Sequence, residues 1–269
     1  MTDDIGRHRA ALHQEASRWA LDILERSRPH WTDKTWWGQP CPTCGEVRPA
    51  FDRVGCMCKC ERPERARLAE EYVQEHRAET AERMWADADI PSRYLGCGFD
   101  TFEPRPGTEK ALEAVRAWVD GYSLDSERGL FLAGPFGSGK THLAVAALHE
   151  AVTWELAHGL FVSAAGLVSK VRKGERLDWQ PVELACGVDL LLLDDVGQEA
   201  GSDFTRDIVA RVITSRYDES MPTIMTTNLG PQALTKALGG GVTSRIHEMC
   251  TALTLTATDY RRNRGLGVA

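Results

Sequence analysis

The chain lacks several things that would narrow its class at once. No apolar run among its 269 residues approaches the length of a membrane-spanning helix, so no membrane partner is expected. The opening Met1-Thr2-Asp3-Asp4 is acidic and carries no apolar core of a secretory leader. There is no excess of positive charge either: 32 Lys and Arg stand against 39 Asp and Glu, a net charge of −7. A globally basic surface for nucleic acid is thereby excluded, and any DNA contact must come from a local patch or from assembly. The chain has no internal repeat and no low-complexity tract. A cytoplasmic protein with reduced thiols is expected, of a length suited to one large domain or two modest ones.

Cysteine is present but unevenly spread. Of eight, five fall between residues 41 and 60: Cys41, Cys44, Cys56, Cys58 and Cys60. Cys97, Cys186 and Cys250 stand singly in or near apolar segments and read as small buried residues. Cys41-Pro42-Thr43-Cys44-Gly45 has the spacing of a zinc knuckle, in which two thiolates grip one ion and the glycine lets the turn close. Tetrahedral zinc needs two more ligands. Cys58 and Cys60 are the leading pair, with Cys56 as the substitute. Four protein ligands leave no open position, so the role expected is structural, a staple for a region with little core. A cluster of free thiols is the plainer alternative.

Around that cluster, residues 1–30 show helical spacing in Leu12, Ala16, Trp19, Ala20, Ile23 and Leu24, ended by Pro29. Trp31, Trp36 and Trp37 suit a small core beside the cysteines, or a partner-binding surface. Residues 61–86 alternate Glu and Arg and read as a solvated helical connector. Pro91 closes this region. The boundary expected is near residue 88, giving an amino-terminal region 1–88 and an α/β domain 89–269.

Within the second part, Gly134-Pro135-Phe136-Gly137-Ser138-Gly139-Lys140-Thr141 reads G-x-x-x-x-G-K-T, a phosphate-binding loop. Glycines let successive N–H groups converge on one anion, and a following helix adds its positive end. Lys140 can reach the β- and γ-phosphates, and the Thr141 hydroxyl can ligate Mg²⁺. The setting is right: Gly129–Ala133 reads as a buried strand and Thr141–Trp154 as a helix.

Val188-Asp189-Leu190-Leu191-Leu192-Leu193-Asp194-Asp195 reads as a central parallel strand ending in two acids. Asp194 would hold Mg²⁺ and Asp195 would orient or deprotonate an attacking water. Pro222–Asn228 reads as another strand, whose terminal Asn228 could bond that water or the γ-phosphate. Arg245 follows the Gly239-Gly240-Gly241 loop and could reach a neighbouring subunit's γ-phosphate; a surface arginine is the alternative. Tyr260-Arg261-Arg262 offers a second phosphate contact, or simply a basic tail.

Together these residues resemble an AAA+ ATPase of the DnaC/DnaI replicative helicase-loader type, with the IstB transposition ATPases as near relatives. The resemblance spans about residues 90–262. It rests on G-P-F-G-S-G-K-T-H-L (134–143), L-L-L-L-D-D-V-G (190–197), T-T-N-L (226–229), S-R (244–245) and D-Y-R-R (259–262), with the entry segment Ile90–Tyr94. It implies an α/β P-loop fold, a parallel sheet flanked by helices. About forty residues follow Asn228, too few for the usual helical lid, as in the loader family. His142 joins the loop residues as nucleotide-binding. The cysteine region is similar in kind to the zinc-binding domain of DnaI-like loaders.

The resemblance further implies ATP as ligand, Mg²⁺ as cofactor, ATP-dependent homo-oligomers, a hexameric replicative helicase bound through the amino-terminal region, and single-stranded DNA. An extra helical element between the second strand and the acidic strand touches DNA in such proteins. Lys170, Arg172 and Lys173 sit in that interval, and a solvated helix face is the alternative reading. Competing functions are a transposition-helper ATPase acting on duplex DNA and a non-catalytic adaptor switched by ATP. A small-molecule kinase has the least support, since nothing beyond the loop suggests an acceptor site.

Overall fold

The run Leu190–Leu193 has no polar side, so a strand built from it must be covered on both faces. The computed structural model, which describes residues 77–173, 176–198 and 203–260, covers it in that way. Strands β1 (Gly129–Ala133), β2 (Gly159–Ser163), β5 (Leu190–Asp194), β6 (Thr223–Thr227) and β7 (Cys250–Thr254) form one sheet in the order β2-β5-β6-β1-β7. All its pairings are parallel. Leu190 and Leu192 enter one apolar cluster with Leu130, Leu132 and Ile224, while Leu191 and Leu193 enter the other with Phe131 and Met225. This alternation is the period of two expected of an extended chain. All four leucines are fully buried, each contributing roughly 1.5–3 kcal/mol relative to exposure.

Helices α1 (Glu109–Asp120) and α2 (Lys140–Glu155) cover one face. The alanine-rich stretch Leu143–Leu148 of α2 is buried on every side, which small side chains permit. The other face carries α3 (Ala164–Val171), α4 (Gln180–Gly187), α5 (Asp203–Asp218), α6 (Pro231–Leu238) and α7 (Gly240–Met249). Ser163 caps α3, its hydroxyl accepting the Gly166 N–H at 3.0 Å. These elements lie in the unit Thr80–Ala269. No helix among the described residues is long and apolar enough to cross a membrane.

The architecture is the α/β P-loop type expected, with three local corrections. The interval after β2 is helical as expected, but Arg172 and Lys173 do not lie on its helices. Helix α3 ends at Val171 and is followed by an antiparallel pair, β3 (Arg172–Lys173) with β4 (Arg176–Leu177). Gly239-Gly240-Gly241 is not a loop: Gly239, at φ +88°, caps α7 and the next two glycines form its first turn. Cys97 is half-buried, unlike Cys186 and Cys250. The expected helix over 1–30, the tryptophan and cysteine clusters, most of the 61–86 helix and Arg261 lie outside the described residues. Among the described residues no helical bundle follows β7.

Candidate active site

The phosphate loop leaves the carboxyl end of β1 and becomes α2. Its backbone cannot be built from ordinary residues. Gly137 and Gly139 have φ +67° and +103°. A Cβ on Gly137 would fall 1.8 Å from Asp259 Oδ1, and one on Gly139 would fall 2.8 Å from Phe102 Cε2. Both positions therefore need the left-handed freedom of glycine and the missing side chain. Within the loop the Ser138 hydroxyl is buried and has no partner among the described residues. A donor so placed, beside the start of α2, suits an anionic ligand.

Lys140 is buried, with its ammonium on the Pro135 carbonyl at 2.9 Å and Asn228 Oδ1 at 2.5 Å. The other end of that amide, Nδ2, donates to Asp195 Oδ1 at 2.7 Å. Asn228 thus bridges an ammonium and a carboxylate, which an amide can do because it carries acceptor and donor on one group. Beside this chain lies a second. The Thr141 and Thr226 hydroxyls both donate to Asp194 Oδ1, at 2.9 and 2.6 Å. Burial pushes the Asp194 carboxyl above the usual carboxylate range, and the charge of Asp195 adds to this; the two hydroxyls and Lys140 pull the other way. Asp195 has φ +57°, a left-handed conformation that costs a non-glycine residue roughly 1–2 kcal/mol.

A clasp closes over the loop from two distant segments. Arg105 donates to the Gly137 carbonyl at 3.3 Å and the Thr258 carbonyl at 3.0 Å, and its guanidinium lies 4.8 Å from the Tyr260 ring centroid. The Tyr260 N–H also bonds the Gly137 carbonyl at 3.1 Å, and its hydroxyl donates to Glu103 at 2.9 Å.

The structure brings Lys140, Thr141, Asp194, Asp195 and Asn228 together beside the loop, and sets His142, Arg245, Lys170 and Arg172 on other contacts. His142 bonds the Gly98 carbonyl at 2.9 Å and packs edge-on against Phe102. Arg245 on α7 donates to the Gly241 carbonyl at 3.2 Å, with its guanidinium over Tyr217 at 5.5 Å. Lys170 on α3 pairs with Asp89, whereas Arg172 on β3 stacks over Phe204 at 4.8 Å. These two cations sit on different elements rather than along one helix face.

Thr226, Arg105 and Glu103 carry no role in the sequence reading. Thr226 left a signal: it stands two residues before Asn228 on a strand, the spacing that returns to the same face. Arg105 left none, since its partner Thr258 is 153 residues away.

The profile of the family described as IstB-like ATP binding protein matches residues 114–264, more than half of the chain. The chain belongs to this family. Among its relatives, the replicative helicase loader DnaC of Escherichia coli (strain K12) is 26% identical over 229 residues, covering 82% of this chain and 91% of DnaC. A crystal structure of the DnaC helicase loader superposes with a TM-score of 0.57 at 30% identity, covering 61% of this chain and 99% of that one. The crystal structure of DnaI, at 22% identity and a TM-score of 0.56, covers 66% of this chain and 98% of that one and shares the fold. This IstB-like protein therefore has an AAA+-type P-loop core, and its homologues include replicative helicase loaders.

The residues present fit a magnesium–nucleotide complex. Thr141 and Asp194 offer hard oxygen donors that lie 2.9 Å apart.

Proposed function

We propose that this chain is an ATP-hydrolysing loader of a hexameric replicative helicase, acting in the cytoplasm as a homo-oligomer that assembles on ATP. One observation carries the chemistry: the bonded series Lys140–Asn228–Asp195 lies beside Thr141–Asp194 at the carboxyl ends of β1, β5 and β6. The loop Gly134–Thr141 would hold the phosphates, with Lys140 on the β- and γ-groups. Thr141 and Asp194 would hold Mg²⁺, which neutralises charge on the phosphate oxygens. Asn228 orients a water and Asp195 takes its proton as the water oxygen bonds to the γ-phosphorus. The bond to the β–γ bridging oxygen then breaks, releasing ADP and phosphate.

Arg245 is assigned to a neighbouring subunit's γ-phosphate, and its setting away from the Lys140 series supports this. Arg261 is assigned to the bound nucleotide. His142 is assigned with the loop residues to the bound nucleotide, and its bond to the Gly98 carbonyl fixes its ring. Lys170, Arg172 and Lys173 are assigned to single-stranded DNA. Region 1–88 would bind the helicase and hold zinc through Cys41, Cys44, Cys58 and Cys60, with Cys56 able to replace one of the last two; the spacing supports this. The DnaC relatives, matched over most of the chain, favour loading over transposition.

The test is a pull-down from native extract with ATP present. Recovery of a hexameric helicase supports the loader, and recovery of a transposase in its place would overturn it. Metal analysis of the full chain tests the zinc assignment.

A further inference from the structure

Neighbouring residues on an extended strand point to opposite faces, so two adjacent acids cannot ordinarily serve one site. Asp194 and Asp195 do face one site, because the backbone turns left-handed at Asp195, with φ +57°. Thr226 is fully buried and bonds the three consecutive residues of that turn. Its hydroxyl donates to Asp194 Oδ1 at 2.6 Å and accepts the Asp195 N–H at 2.9 Å, and its carbonyl accepts the Val196 N–H at 2.8 Å. One hydroxyl thus aims the first carboxylate and holds the backbone of the second. Asn228, two residues on, takes the Asp195 side chain.

We infer that Thr226 is the positioning residue that lets Asp194 and Asp195 divide their work, the first toward the cation and the second toward the attacking water. This rests on the reading of the site as a magnesium–nucleotide site. Thr226 is fully buried behind the two acids. Its hydroxyl acts through the two acids, and a side chain of the same shape without the hydroxyl cannot replace it.

The experiment compares wild type, Thr226→Val and Thr226→Ser in the full chain. Binding of a fluorescent ATP analogue is followed across Mg²⁺ concentrations, with ATP turnover and thermal midpoint alongside. For Thr226→Val the Mg²⁺ concentration at half-maximal effect should rise, and turnover at saturating nucleotide should fall, each about 10-fold or more, as for other groups that orient metal ligands. Metal-free nucleotide binding should stay within about twofold, since the loop is untouched. Thr226→Ser should restore both quantities. Thr226→Ala, which adds no bulk, stands in should the valine variant not fold. The inference is overturned if loss of the hydroxyl changes neither quantity, or if the serine variant is as impaired as the variant lacking the hydroxyl. Wild type that binds no nucleotide would instead sink the underlying reading.

Discussion

Asn228 and Arg245 are both expected from sequence to serve the γ-phosphate, and they stand in opposite circumstances. The Asn228 amide is engaged at both ends, by Lys140 and by Asp195, and all three side chains meet at the carboxyl ends of the strands of one chain. Arg245 is tied only to its own neighbourhood by the bonds described: the Gly241 carbonyl, the Tyr217 ring and a buried Nε without a partner among the described residues. A stacking contact of this kind contributes about 0.5–1 kcal/mol, little enough to be exchanged for a stronger partner. The first half of the site is assembled within the chain. Arg245 lies outside that bonded series, and the subunit-sharing role proposed for it asks it to leave these local contacts.

The sharpest break in that comparison is Lys140→Ala. It removes the ammonium from the preassembled half, so nucleotide affinity should fall ~10²-fold or more, read by equilibrium binding, and turnover should be lost altogether. Next is Arg245→Ala, which should leave affinity within about twofold but lower turnover ~10³-fold. Mixing it with Lys140→Ala should recover activity, because one variant supplies the site and the other the cation. No recovery in the mixture would remove the subunit-sharing assignment. Asp195→Asn should retain binding and lower turnover ~10²-fold by removing the proton acceptor.

Two smaller effects concern stability. The folded-state pKa of Asp194 lies above its ordinary value because of burial. Its charged form is therefore disfavoured in the fold, so Asp194 costs stability at neutral pH and the cost fades as pH falls through the folded value. Asp194→Asn keeps an acceptor for both hydroxyls. It should raise the nucleotide-free melting temperature by about 2–4 °C, equivalent to roughly 1 kcal/mol, while losing magnesium-dependent binding. Smallest is Tyr217→Phe, which loses the exposed bond to Glu248 at 2.9 Å and should leave the thermal midpoint nearly unchanged, with turnover retained.

The legible parts of the molecule were those written in consecutive residues. The buried strands announced themselves because Leu190–Leu193 and Gly129–Ala133 offer no polar face, and their bounds fall within two residues of expectation. The phosphate loop was readable because its glycines, lysine and threonine act within one turn of backbone. Legibility failed where composition was ambiguous. The interval around Lys170 is helical as the resemblance implies, yet Arg172 and Lys173 leave the helix for a strand pair. Three glycines suggested a loop at 239–241, yet two of them open a helix whose buried Thr243, Ile246 and Met249 hold it to the sheet.

What the sequence determined by itself is the chemistry available: an anion-binding loop, two acids at the end of a buried strand, an amide on the next strand and an arginine beyond. Hydrophobic period and local backbone preference suffice for that, because each acts over a few residues. Tertiary structure alone decided which groups meet. It turned Asp195 onto the same side as Asp194, set Thr226 beneath both, and drew Arg105 to Thr258 across 153 residues. Those contacts depend on strand order and on closing long loops, and no short stretch of chain encodes them.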